Sequence, residues 1–171
     1  MLKPEYRPGY RLGFFVLLIA CAVMFSGCVK DRKWERGAPA PEISVLDLGD
    51  RMVKLSDYRG KPVVLRFWAT GCKACVAAMP ELDAYSKRYA GKGLVVLAVN
   101  MGNSKELVEA FATGLKLSYP ILLDPALITA KKYGIKTVPT TCFIDRQGIA
   151  RMVVAGELTQ NVFDRIVGEL L

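Results

Sequence analysis

Histidine is absent from all 171 residues. Its absence excludes Ser-His-Asp and Cys-His catalysis, histidine-ligated zinc and haem, and proton shuttling by imidazole. Cysteine is sparse and odd in number: Cys21, Cys28, Cys72, Cys75 and Cys142, with one close functional spacing, so the chain is no disulfide scaffold. A basic stripe interleaved with aromatics is also lacking. The net charge of +8 is spread over scattered Lys and Arg and reads as surface charge, so no nucleic-acid partner is expected. Internal repeats and low-complexity tracts are missing too. What remains is long enough for one domain of roughly 100–150 residues with its own core, plus a short appendage.

The appendage is N-terminal. Lys3, Arg7 and Arg11 precede a run from Leu12 to Val29 that carries no charge. Such a block is a targeting or anchoring segment rather than part of a fold. A cleaved secretory signal, a lipoprotein signal and an uncleaved span all fit its length. Phe25-Ser26-Gly27-Cys28 resembles a bacterial lipobox and makes Cys28 the preferred lipidation site, although Leu18-Ile19-Ala20-Cys21 fits the short consensus about as well. The signal-like shape places the rest of the chain on the extracytoplasmic side of a bacterial membrane. The organisation expected is a leader over 1–28, a Pro-containing spacer over 29–41, and a domain over 42–171.

Within that domain, Gly49-Asp50-Arg51 between short apolar segments predicts a hairpin, and Ser56 to Gly60 a capped turn. Pro62 to Trp68 is a compact apolar run suited to a strand buried on both faces. Cys75, Met79, Leu82, Tyr85 and Tyr89 recur at helical spacing, with Pro80 expected to kink that helix. Leu94 to Val99 predicts a second buried strand, and Ser104 a helix that ends at Gly114. A short helix is expected over 125–133 and a hairpin around Asp145-Arg146-Gln147-Gly148. A last helix follows Thr159, with Val162, Phe163, Ile166, Val167 and Leu170 on one face. This alternation predicts an α/β fold with a central mixed sheet flanked by helices.

The chemistry concentrates in Phe67-Trp68-Ala69-Thr70-Gly71-Cys72-Lys73-Ala74-Cys75, where a buried strand gives way to two cysteines at the start of a helix. Unpaired N–H groups and the helix dipole favour a thiolate there, which reads as a redox-active dithiol. The same Cys-x-x-Cys spacing also serves as half of a zinc site, but no histidine and few other cysteines remain to complete one.

Trp68 to Cys75, together with Thr137-Val138-Pro139-Thr140, resembles the active-site pair of the thioredoxin superfamily. The finer match, through Ala38-Pro39, Leu55-Ser56, Ala98-Val99-Asn100 and Tyr119-Pro120, is to membrane-tethered thiol-disulfide oxidoreductases of the TlpA/ResA type. The resemblance covers residues 38–171 and implies a thioredoxin-like fold with an N-terminal β-hairpin extension. It further implies that Cys72 attacks a partner disulfide and Cys75 resolves the mixed disulfide. Pro139 would be the family's cis-proline, with Trp68 supporting the site and the Val138 backbone pairing with an extended substrate.

The resemblance implies protein thiol and disulfide substrates, an upstream membrane electron donor, a monomer, and no cofactor beyond the Cys72–Cys75 disulfide. Reduction of extracytoplasmic protein disulfides, as in cytochrome c maturation, is the expected role. Two other activities on related folds are weighed against it. A peroxiredoxin-like thiol peroxidase lacks its Pro-x-x-x-Thr-x-x-Cys frame around Cys72, and a copper chaperone of the Sco type lacks its wider cysteine spacing and distal histidine.

Several positions depart from the family pattern. ResA-like proteins commonly carry Glu three residues after the second cysteine, where this chain has Ala78. Thioredoxin has Asp before its Phe-Trp pair, where this chain has Arg66. Gly71 replaces a Trp that often precedes the first cysteine. Arg66 and Lys73 are therefore expected to stabilise the Cys72 thiolate below the free-cysteine value of about 8.5. The alternative for Arg66 is a strand residue whose charge reaches solvent away from the dithiol. Cys142 is expected to be a small core residue.

Overall fold

The computed structural model describes residues 35–171. The leader over 1–28, with Cys21 and Cys28, and the spacer as far as residue 34 lie outside the described residues.

Seven strands form one mixed sheet: β1 (Ser44–Asp47), β2 (Met52–Lys54), β3 (Val63–Trp68), β4 (Val95–Met101), β5 (Ile121–Asp124), β6 (Thr140–Ile144) and β7 (Ala150–Ala155). Their order is β2-β1-β5-β4-β3-β6-β7. β3, β4 and β5 run parallel, while β6 pairs antiparallel with β3 and β1 antiparallel with β5. The helices are α1 (Lys73–Ala77), α2 (Met79–Ala90), α3 (Lys105–Leu115), α4 (Ile128–Lys132) and α5 (Gln160–Leu170), with a 3-10 turn at Leu55–Tyr58. The mixed sheet and the N-terminal hairpin match the expected thioredoxin-like architecture.

All six residues of β3 are buried, as its apolar run requires of a central parallel strand. The two-residue period divides them between two core layers. Val63, Leu65 and Phe67 pack with Leu97, Val99, Tyr133, Cys142 and Ile144 on one face. Val64 and Trp68 pack on the other with Met79, Leu82 and Tyr85 of α2 and Phe163, Ile166 and Val167 of α5. Arg66 takes the remaining position of that second face, level with Ala98 of β4 and Thr141 of β6.

Both hairpins are tied by an aspartate, as their turn chemistry predicts. Asp47 Oδ1 accepts from the N–H groups of Gly49 and Arg51 at 2.8 and 3.0 Å, and Oδ2 from Arg51 Nε at 2.9 Å. Asp145 repeats the device at the β6–β7 turn, accepting from Gln147 N at 2.9 Å, Ile149 N at 2.8 Å and Arg151 Nε at 2.6 Å. Gly148 in that turn has φ +77°, and a Cβ there would collide with the Arg59 guanidinium.

The single kinked helix expected after Cys75 is two segments. Pro80 lies in the first turn of α2, where its missing N–H breaks no intrahelical bond. The chain turns at Ala78 instead of bending within one helix. α3 runs past Gly114 to Leu115 and stops where Lys116 takes the left-handed conformation (φ +47°). α4 starts three residues later than expected, because Leu127 is left-handed (φ +58°) and Asp124 accepts from Thr129 N and Ala130 N at 3.2 and 2.8 Å. Thr159 precedes α5 and its carbonyl accepts from Phe163 N at 3.0 Å, but its side chain makes no capping bond. Among the described residues, no helix is long and apolar enough to cross a membrane.

Burial alone would raise the Asp145 carboxyl. The N–H groups of Ile149 and Gln147 and the Arg151 guanidinium together outweigh it and hold the group below the ordinary aspartate range. A depressed folded-state pKa stabilises fully above about pH 4, and the contribution is lost as pH falls through the folded value. Asp145→Asn is therefore expected to lower stability by about 1–3 kcal/mol at pH 7. The difference should shrink in acid, as pH falls through the lowered folded-state value and the wild-type carboxyl takes up its proton. Urea melts at neutral and acid pH check this; an equal difference at both would disprove the charge-based account.

Candidate active site

β3 ends at Trp68, and the next three residues lead directly into Cys72, which caps α1 in an extended conformation. Thr70 N donates to Asn103 Oδ1 at 3.2 Å, tying this loop to the one that follows β4. Cys72 and Cys75 are joined by a disulfide. The Cys75 N–H donates to Cys72 Sγ at 3.1 Å, a contact that favours a thiolate once the bond is opened. Cys72 is half-buried, whereas Cys75 is 2% exposed. The pair is therefore asymmetric: one sulfur is presented to a partner and the other stands behind it.

The facing wall is the segment before β6. The Val138–Pro139 peptide is cis, and the Val138 carbonyl oxygen lies 3.8 Å from Cys72 Sγ. Thr140 Oγ1 donates to the Thr137 carbonyl at 2.7 Å and closes the turn. Cys72, Cys75, Val138 and Pro139 are thus brought together at the C-terminal end of β3.

Beneath Cys75 is a cavity of about 10 Å³, room for roughly one water. Trp68, Ala78, Met79, Leu82, Ala98, Tyr119 and Arg66 line it with Cys75. Arg66 is the only charged side chain among these. It is 6% exposed, donating from Nη1 to Thr141 Oγ1 and pairing through Nη2 with Glu157, both at 2.8 Å. Glu157 keeps 42% of its side chain exposed, so the ion pair runs from the interior to the surface. Arg66 therefore does not carry its charge out to solvent. It shares the cavity with Cys75, and Cys72 is not among the lining residues.

The other candidates lie elsewhere. Trp68 is 1% exposed and sits under the dithiol rather than on its rim, its Nε1 without a partner among the described residues. Lys73 is exposed at the first position of α1. Cys142 is fully buried on the opposite face of the sheet, and burial pushes its thiol up to about 12. It is a core residue, as expected. Sequence reasoning did not find Glu157 or the buried Asn100, whose side-chain amide also lacks a partner among the described residues. Nothing near Glu157 in sequence marks it; only the 91-residue separation closed by the sheet joins it to Arg66. No group of residues suited to hold a metal occurs among the described residues.

A dithiol with one accessible sulfur, a buried second sulfur and an open backbone carbonyl opposite is built for exchange with another disulfide. Residues 36–153 match the family model described as AhpC/TSA. The chain belongs to the AhpC/TSA family. It is 39% identical over 125 residues to the thiol-disulfide oxidoreductase ResA of Geobacillus thermodenitrificans, covering 73% of this chain and 72% of the relative. Among solved structures it is similar to a protein described as the thiol:disulfide interchange protein DsbE of Chlorobium tepidum. That match has a TM-score of 0.76 and 27% identity, and covers 81% of this chain and 99% of the other. The exposed lipoprotein thioredoxin Etrx1 of Streptococcus pneumoniae matches with a TM-score of 0.70 and 29% identity, covering 76% of this chain and all of the other. This family member is a thiol-disulfide oxidoreductase of the ResA/DsbE-like kind.

In the reduced protein, a brief pulse of iodoacetamide is expected to label Cys72 at least about tenfold faster than Cys75 or Cys142. Peptide mapping reads the result. Equal labelling of Cys72 and Cys75 would remove the distinction between presented and buried sulfur.

Proposed function

We propose that the protein is a membrane-attached, extracytoplasmic reductant of protein disulfides, held by its N-terminal segment or by a lipid on Cys28. The observation that carries the reading is the asymmetry of the pair, with Cys72 half-exposed opposite the Val138 carbonyl and Cys75 buried behind it. The Cys72 thiolate attacks one sulfur of a partner disulfide and expels the other as thiolate. Cys75 then attacks Cys72 Sγ, forming the Cys72–Cys75 disulfide and releasing the partner fully reduced. An upstream membrane donor returns two electrons, and the cycle needs no further cofactor. The Val138 backbone and Pro139 hold an extended substrate segment, and the protein works as a monomer.

Membrane attachment is supported by the charge-free run from Leu12 to Val29 and by the lipobox-like Phe25 to Cys28. The reductive direction, and disulfides of apocytochrome c as one substrate, follow the resemblance to ResA-type proteins. Cys75→Ser in the native host is expected to trap extracytoplasmic proteins on Cys72 as mixed disulfides; recovery of only nonspecific adducts would remove the exchange reading. The reductive direction requires a potential near thioredoxin's, about −270 mV, and a value near the −120 mV of a strong oxidant would reverse it. The family's name also includes thiol peroxidases. Consumption of hydrogen peroxide by the reduced protein at rates matching its protein-disulfide turnover would favour that activity instead.

Arg66 and Lys73 tune the dithiol in this reading, Arg66 from inside the cavity at Cys75 and Lys73 from the rim. With Ala78 in the cavity wall and no histidine in the chain, the guanidinium is the charge that favours loss of the Cys75 proton. Arg66→Gln is expected to move the pH of half-maximal exchange upward by about 1 unit and to let mixed disulfides accumulate. Unchanged thermal unfolding would separate this from loss of fold, and an unchanged pH profile in a folded variant would refute the tuning role.

A further inference from the structure

At the end of the domain opposite the dithiol, Arg36, Arg146 and Arg151 line an open groove of about 470 Å³ together with Asp145 and Glu169. Arg59 reaches the same turn and donates to the Gln147 carbonyl, and Gly60 N donates to the Arg146 carbonyl at 2.9 Å, placing Lys61 nearby. The carboxylates lining the groove are Asp145 and Glu169. Asp145 is buried and already engaged by Arg151 and two backbone N–H groups. Three arginines against two carboxylates line the groove, leaving an excess of positive charge, and Arg36, Arg59, Lys61, Arg146 and Arg151 are all exposed.

The chain enters the domain at this corner. Gly37 N donates to Ala150 O at 2.7 Å, Ala150 N to Ala38 O at 3.0 Å, and Ala40 N to Gly148 O at 2.9 Å. The corner is also distal to the chemistry, because Ala150 pairs with Ile144 and Ile144 with Val63, the first residue of β3, while Cys72 follows the last. Fully extended, the stretch from Cys28 to Gly37 spans at most about 30 Å. A chain anchored at Cys28 would therefore keep the arginine corner at high effective concentration near lipid headgroups. Lys30, Arg32 and Lys33 in that stretch add charge of the same sign.

We propose that the Arg36, Arg59, Arg146 and Arg151 corner docks on the phosphate headgroups of an anionic bilayer surface and so turns the dithiol away from the membrane. This rests on the membrane-attached reading above. Each arginine near such a surface is attracted by the headgroup charge, and the attraction falls off within about 8–10 Å. Contact rather than proximity is what the groove supplies.

The test uses the full chain reconstituted in vesicles of phosphatidylcholine alone or mixed with phosphatidylglycerol. Phenylglyoxal, a neutral arginine reagent, is pulsed and the sites are mapped by mass spectrometry. Arg59, Arg146 and Arg151 are expected to react about tenfold more slowly on the anionic vesicles. Arg51, 81% exposed on the β1–β2 turn, should react equally on both. The protection should vanish at high salt and in the double variant Arg36→Glu, Arg146→Glu, whose disulfide-reductase turnover in detergent should match the wild type. Equal rates on both vesicles, or slowing that includes Arg51, would overturn the docking surface while leaving attachment intact. A chain that floats with neither vesicle would overturn the attachment reading itself, and docking with it.

Discussion

The site depends on a strand that must be buried on both faces and still deliver a reactive sulfur at its end. β3 meets the first demand with Val63, Val64, Leu65, Phe67 and Trp68, whose side chains split between two core layers. It meets the second because it is central: β4 and β6 hydrogen-bond it from either side, so its C-terminal end has no freedom to shift. β6 runs antiparallel to it, which sets Thr140 opposite Phe67 and brings Val138 and Pro139 up to Cys72. Register in one strand pair thus places both halves of the exchange site. A one-residue slip would turn Phe67 and Trp68 onto the wrong layers and part the sulfur from its facing carbonyl.

Arg66 is the one charge in that strand. Burying a guanidinium costs several kcal/mol unless its donors are matched and its charge is met. Thr141 takes one donor and Glu157 meets the charge, but Glu157 is partly in water, where a carboxylate's field is screened. The interior end of the pair is thus less completely neutralised than a carboxylate buried beside it would make it. That residual field falls in a water-sized cavity that Arg66 shares with Cys75, Tyr119 and Trp68. A carboxylate at position 66 or 78 would bring the opposite sign and could take up a proton. Neither is present here, and Arg66 is the charged group lining that cavity.

Much of this was readable in the sequence because it is local. The two hairpins announce themselves through Asp and Gly at fixed offsets; Asp145 closes the second turn from within the expected stretch, while the first is closed by Asp47, ahead of Gly49-Asp50-Arg51. The dithiol, the proline before β6 and the buried strand are equally local. Helix limits were less readable. The stop at Lys116 and the late start of α4 depend on left-handed non-glycine residues, which carry no strong signature. Pro80 was read as a kink, but the break at Ala78 puts it in the first turn of α2, where a proline begins a helix instead. The Arg66–Glu157 pair was unreadable for a different reason, since its partners meet only after the sheet and the β7–α5 loop are both in place.

The segment that introduces the domain also closes its sheet. A seven-stranded sheet has two edges, each a row of backbone groups that could pair with another chain. At one edge β2 is only three residues long, too short to template a partner. At the other, Pro39 bridges Ile149 and the chain from Gly37 to Ala40 occupies the start of β7. A proline there leaves no N–H to offer a further strand. Residues 35–54 therefore form one edge and cover the start of the other with a single stretch of chain. The same contacts fix where the upstream chain departs, at the far end of β3 from Cys72. Cover at the start of β7 and the point where the upstream chain departs are consequently one structural fact, because the same contacts from Gly37 to Ala40 set both.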